Sequence, residues 1–202
     1  LMARWTAAFQ AHHLDAAQVL LTTDDVMRRD HYTNVRASLT RLLGLGVVPI
    51  LNENDAVTTR ELRFGDNDRL AALIAQMIKA DALVLLTDVD GLYTAPPDHP
   101  GSELIERVAS ADDLMSVLVT GAGSRVGTGG MATKVQAAML ATASGIGVQL
   151  ASANDLGSVL EGRRVGTWFE PSAQRPASRR LWIAHVAPSR GEIIVDEGAA
   201  KA

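Results

Sequence analysis

The chain contains no cysteine. That removes disulfides, thiolate zinc sites, iron–sulfur clusters and cysteine nucleophiles together, and leaves no sign of an oxidising compartment. Aromatic residues are scarce at 4%, too few to supply a stacking platform for single-stranded nucleic acid. Positive charge is also in deficit. Nineteen Lys and Arg stand against 23 Asp and Glu, for a net charge of -4 and an isoelectric point near 5.7. A protein whose main partner is a phosphate backbone needs a clustered basic surface, so nucleic acid is not an expected partner. Residues 135–154 carry no charge, but Ser144, Gly145, Gly147, Gln149, Ser152 and Asn154 interrupt them and much of the remainder is alanine. This stretch reads as a buried helix followed by a buried strand, so no membrane span is expected. His12, His13, His31, His99 and His185 show no metal-ligand spacing and are read as surface or packing residues.

What is present fits a folded globular domain: 202 residues, 47% hydrophobic, 21% charged, mean hydropathy +0.09. No signal or transit pattern opens the chain, and a cytoplasmic location is expected. Residues 1–9 instead read as the middle of an amphipathic helix, as if the chain were cut from something longer. Apolar runs bounded by turn signals alternate with helical periodicity, the pattern of strands and crossover helices in a parallel sheet. Strands are predicted at Ala17 to Leu21, Val47 to Leu51, Ala82 to Leu86 and Ile146 to Ala151, with an edge strand at Glu103 to Val108. Val35, Leu39, Leu42 and Leu43 mark one helix, stopped by Gly44 and Gly46. Leu70, Leu73, Ile74, Met77 and Ile78 form a full core-facing stripe on another. Short and long helices are expected over Ala111 to Leu118 and Met131 to Ser144, and hairpins over Thr58 to Gly65 and Leu181 to Val195. The Ala82 to Leu86 run lacks the alternation of a strand with a wet face. The expected architecture is one α/β domain over residues 1–202, a three-layer α/β/α sandwich with a mainly parallel sheet.

Four polar constellations fall where ligands bind in such sheets, beyond the carboxyl ends of strands. The first is the glycine-rich run from Gly121 to Gly130, leading into Met131, Ala132, Thr133 and Lys134. Its glycines permit close backbone approach, the helix start offers N–H groups to an anion, and Lys134 lies one turn inside. It is not the Walker pattern, because Lys134 follows the last glycine by four residues. The second, Asn52-Glu53-Asn54-Asp55, suits either a polar substrate or an Asx-rich turn. The third is Gly65-Asp66-Asn67-Asp68, before the Leu70 stripe. It serves as a helix cap, as a complement to the helix dipole, as a partner for a lysine, or near a metal ion. The fourth is Thr87-Asp88-Val89-Asp90-Gly91-Leu92-Tyr93.

Together Leu51 to Asp55, Phe64 to Asp68, Leu85 to Asp88 and Gly127 to Lys134 resemble, in order, the motifs of the glutamate 5-kinase family within the amino acid kinase fold. The resemblance implies ATP-dependent phosphorylation of the side-chain carboxylate of L-glutamate, the first step of proline biosynthesis. It implies that Asn52, Asp55 and Asn67 contact glutamate and that Lys134 and Asp68 are catalytic, Asp68 organising lysines. Thr87, Asp88, Thr128, Gly129, Gly130, Met131, Ala132, Thr133 and Lys134 would then meet ATP. Magnesium would be held mainly by phosphate and water oxygens, with no protein ligand assigned. Feedback by proline and a homo-oligomer are further implications. The family's first strand, with a phosphate-contacting lysine, would precede Leu1, and its small C-terminal domain would follow Ala202. Alternatives are an acetylglutamate kinase or aspartokinase type of enzyme, or a non-catalytic amino-acid or nucleotide sensor.

Overall fold

A computed structural model of the chain describes residues 2–57, 67–110, 114 and 130–173. The two predicted hairpins, the 111–118 helix apart from Leu114, and the glycine run through Gly129 lie outside these residues.

The chain opens on helix α1 (Met2–Gln10), where Trp5 stacks on Phe9 with ring centroids 5.9 Å apart. Strand β1 (Asp15–Leu21) follows, then a short helix α2 (Thr23–Met27) and the long α3 (Arg29–Gly44). Gly46 adopts a positive φ of 75°, so the predicted glycine stop turns α3 into β2 (Val47–Glu53) through the left-handed conformation. β1 and β2 pair in parallel, Asp15 opposite Val47 through Leu21 opposite Glu53.

Helix α4 (Asn67–Ile78) is the central piece. Its Leu70, Leu73, Ile74 and Met77 pack with Leu21, Val26 and Leu39 in one core. Ala72 and Ala75, on another face, belong to a second core with Leu85, Val148 and Phe169. The 3.6-residue period places those small and large side chains on separate faces, so one helix serves both cores.

After α4 come β3 (Ala82–Thr87), the short β4 (Arg107–Val108), helix α5 (Gly130–Ala143) and β5 (Gly147–Ser152). A 3₁₀ turn (Ala153–Asp155), helix α6 (Leu156–Leu160) and β6 (Thr167–Phe169) complete the described chain. Strand order in this sheet is β3-β5-β6-β4. β3 with β5 and β4 with β6 are parallel, while β5 with β6 is antiparallel. With the β1–β2 pair, the sheets are mainly parallel, as expected of an α/β chain.

Three details depart from the sequence reading. The Glu103 to Val108 edge strand shrinks to Arg107–Val108. Leu104 instead bridges Tyr93, and the Ile105 N–H donates to the Leu92 carbonyl at 2.8 Å, so the segment folds back on the loop after β3. The second departure concerns burial. Val47 to Leu51 is half-buried throughout, and in β3 only Leu85 is buried while Leu86 is 36% exposed. The physical reason is placement: among the described residues, β2 and β3 each ladder to a neighbour along one edge only. Third, α2, α6 and β6 are too short to have produced a periodic signal. No helix among the described residues is long and apolar enough to cross a membrane.

Candidate functional site

The amino ends of α4 and α5 meet. Lys134, one turn inside α5, places its Nζ 2.9 and 3.1 Å from the two carboxylate oxygens of Asp68, in the first turn of α4. The Thr133 hydroxyl, whose one proton is shared between two acceptors, lies 2.9 Å from the Gly130 carbonyl and 3.2 Å from Asp68 Oδ2. Both charged side chains are largely covered, 18% exposed for Lys134 and 14% for Asp68, so water screens the pair only weakly. The sequence spacing explains the encounter. The stripe on α4 anchors its core face, alanines on α5 (Ala137, Ala138, Ala141) let the two helices approach, and the first turns are thereby brought level. Two helix amino ends carry partial positive charge, and Lys134 adds a full one. Asp68 offsets that charge and fixes the ammonium, leaving a centre suited to a polyanion.

The other sequence-selected residues are distributed as follows. Asn52 is half-buried on β2 opposite Leu20. The Asn54 N–H donates to the Leu21 carbonyl at 2.7 Å, which ties the residue after β2 to the end of β1. Asp55 is exposed in the turn that follows, and Asn67, also exposed, is the first residue of α4. Thr87 ends β3, and its hydroxyl donates to Asp88 Oδ1 at 3.1 Å. Gly130, Met131 and Ala132 form the first turn of α5 with Thr133. Asp66, Thr128 and Gly129 lie outside the described residues.

A groove of about 450 Å³ runs between β2 and β3 beneath α4, lined by Leu51, Leu70, Ile74, Ile78 and Leu83, with Asn67 at one end. Its walls are aliphatic. It offers no charge to a zwitterion or a phosphate. No group of three or more His, Asp or Glu able to hold a metal ion occurs among the described residues.

Two features outside this cluster were not read from the sequence. The Thr22 side chain caps α2 and Asp25 returns the bond, its Oδ2 accepting from the Thr22 N–H at 2.7 Å. The pattern Thr-x-x-Asp was available as a capping-box signature. His31 Nδ1 lies 3.2 Å from the Asp25 Oδ1. Partial burial opposes ionisation of Asp25, but the Thr22 hydroxyl and N–H, with His31, outweigh it and hold this carboxyl below the usual aspartate value. Beyond β3, partial desolvation and the neighbouring Asp90 carboxylate push the Tyr93 phenol upward.

The model of the amino acid kinase family matches residues 1–152. The chain belongs to the amino acid kinase family. Within it, the chain is 54% identical over 203 aligned residues to a glutamate 5-kinase of Salinispora arenicola, covering all of this chain and 55% of that protein. Glutamate 5-kinases of Bifidobacterium longum and Thermobifida fusca are each 52% identical, again over the whole chain and 54% and 53% of their own lengths. The chain thus spans about half the length of the relatives it matches. Among solved structures, the carbamate kinase from Giardia lamblia bound to AMP-PNP superposes with a TM-score of 0.60 at 18% identity, over 82% of this chain and 66% of that one. An isopentenyl phosphate kinase superposes with a TM-score of 0.54 at 18% identity, over 83% and 64%. At that identity the likeness concerns the amino acid kinase fold alone.

Proposed function

We propose that this chain carries catalytic parts of a glutamate 5-kinase, which transfers the γ-phosphoryl group of ATP to the side-chain carboxylate of L-glutamate. The observation that carries the reading is the Lys134–Asp68–Thr133 cluster at the joined amino ends of α4 and α5. Identity of 52–54% to named glutamate 5-kinases supports the choice of acceptor over acetylglutamate or aspartate and over a non-catalytic sensor.

In this reading a carboxylate oxygen of glutamate forms a bond to the γ-phosphorus while the bond from that phosphorus to the β,γ-bridging oxygen breaks. The products are glutamyl 5-phosphate and ADP. The carboxylate is already ionised at neutral pH, so no strong general base is needed. Catalysis then reduces to alignment and to neutralising charge spread over the moving phosphoryl group. Lys134 supplies the ammonium, Asp68 aims it, and the Thr133 hydroxyl holds Asp68. Thr87, Asp88 and the residues from Thr128 to Ala132 receive the nucleotide, and Asn52, Asp55 and Asn67 receive glutamate. A magnesium ion accompanying the nucleotide would supply further charge neutralisation. The same resemblance supports proline feedback, a homo-oligomer and a cytoplasmic setting.

The test is an assay of the complete gene product with ATP and, in turn, glutamate, acetylglutamate and aspartate, trapping the acyl phosphate with hydroxylamine. Glutamate is expected to be preferred. Removing one donor to the transition state should cost on the order of a hundredfold in kcat, so Lys134→Ala should fall by at least that. Preference for another acceptor, or an unchanged rate in Lys134→Ala, overturns the reading.

A further inference from the structure

The loop leaving β3 begins with Thr87 and Asp88 and turns back into the core at Gly91 and Leu92, both buried. The contact that holds it there comes from 75 residues downstream: the Thr167 hydroxyl accepts from the Leu92 N–H at 2.8 Å. Thr167 is fully buried in β6, where it pairs with Leu150 of β5, itself opposite Leu85 of β3. A valine of the same shape would fill that place in a strand without desolvating a hydroxyl. The hydroxyl is instead satisfied by the loop.

Two glycines make the approach possible. A Cβ on Gly91 would stand 2.7 Å from Thr167 Oγ1 and 2.9 Å from Leu104 Cδ1. Gly166, at a φ of +70°, leaves no room for a Cβ either, which would meet the Asp90 carbonyl oxygen at 2.8 Å and collide with that of Leu150. The Leu92 carbonyl accepts from Ile105 N–H at 2.8 Å, so both backbone polar groups of Leu92 are committed. The loop is clasped between the start of β6 and the 104–105 segment.

We infer that Thr167, seated by Gly91 and Gly166, is a positioning residue that sets the Thr87–Asp90 loop for the nucleotide. The inference rests on the proposed nucleotide role of Thr87 and Asp88. Thr167 touches neither reactant in this scheme and acts only through the loop. Substituting Val removes the acceptor and puts a methyl group against Gly91, leaving the Leu92 N–H buried without its partner.

The experiment compares Thr167→Val and Thr167→Ser with wild type in the complete gene product. Three quantities are read: the ATP dissociation constant by calorimetry, the separate KM values for ATP and glutamate, and the exchange rate of the Leu92 amide. Thr167→Val should weaken ATP about tenfold in both dissociation constant and KM, shift the glutamate KM less than about twofold, and speed Leu92 exchange at least about tenfold. Thr167→Ser should return all three to within about twofold of wild type. Should the Val variant not fold, Thr167→Ala removes the acceptor without added bulk and is expected to give the same pattern. An unchanged ATP constant, an equal loss for both substrates, or failure of Ser to rescue overturns the inference. A wild type that binds ATP but does not phosphorylate glutamate defeats the proposed function, and the clasp is then judged on the ATP constant and the amide. A wild type that binds no ATP defeats both.

Discussion

Lys134 and Asp68 illustrate how a pair of side chains divides one task. In the proposed reaction the ammonium would meet the charge of the phosphoryl group, and the carboxylate would give it a direction. Because the two act together, their removal should not add. Lys134→Ala and Asp68→Ala are each expected to lower kcat steeply, and the double variant should fall within about tenfold of the worse single one. Additive losses in such a cycle would mean that Asp68 works independently of the lysine. A second residue-scale prediction concerns Gly147, whose Cα lies under the indole of Trp168 so closely that a Cβ would collide with the ring. Gly147→Ala should cost about 1–3 kcal/mol, read by urea denaturation, because the indole must leave its place. At this scale the sequence was partly legible. Lys134 and Asp68 were selected from glycine-loop and carboxylate motifs, with a lysine already among the partners read for the carboxylate, and the structure brings the two to 2.9 Å. Thr167 and Gly166 carried no motif at all, since their meaning lies in a contact 75 residues away.

At the scale of elements, helix ends offer the clearest contrast between readable and unreadable features. α3 and α5 each stop on a glycine with positive φ, at Gly46 and Gly145. After α4 the same turn is made by Lys79, with φ of 57°, and the Ala80 N–H closes on the Ala75 carbonyl at 2.8 Å. A lysine in that conformation is strained, and no turn residue marked the helix end. Lys79→Gly is expected to stabilise the fold by about 0.5–1 kcal/mol, seen as a raised Tm. The cap of α2 makes an opposite case. Thr22→Ala should destabilise by about 1 kcal/mol. Asp25 adds a pH dependence whose sign follows from its lowered folded value. Its stabilisation is complete above the unfolded aspartate pKa of about 3.9 and is lost as pH falls through the lower folded value. The stability gap between wild type and Asp25→Asn should therefore be widest near neutrality and shrink in acid below about pH 4. The long stripes of α3 and α4 and the apolar runs of β1, β2, β3 and β5 were legible because periodicity accumulates with length. β6 has three residues and α6 has five, so neither repeats often enough to be heard.

For the molecule as a whole, α4 joins the two cores, so neither side is expected to melt alone. Met77, nearly inaccessible on the face toward α2 and α3, tests this. Met77→Ala should cost about 2–5 kcal/mol, and near-ultraviolet and far-ultraviolet signals should still lose structure in one coincident transition. Separate transitions would mean that the cores are independent. Burial was the whole-molecule property least visible in the sequence. An apolar run such as Ala82 to Leu86 reports what a strand can bury, whereas its exposure depends on which strands lie beside it, and that is settled by topology.

The bond between Asp68 and Lys134 spans 66 positions of the chain, and this separation has a meaning during synthesis. At about 5–20 residues per second, a ribosome adds Lys134 roughly 3–13 s after Asp68. For that interval α4 has emerged ahead of its ammonium partner, with β1, β2 and the first core already available to receive it. The nascent protein thus has its β1–β2 side before it has the lysine of its charge centre, while β5 and β6 are still to come, and the proposed affinity for a polyanion must wait for Lys134.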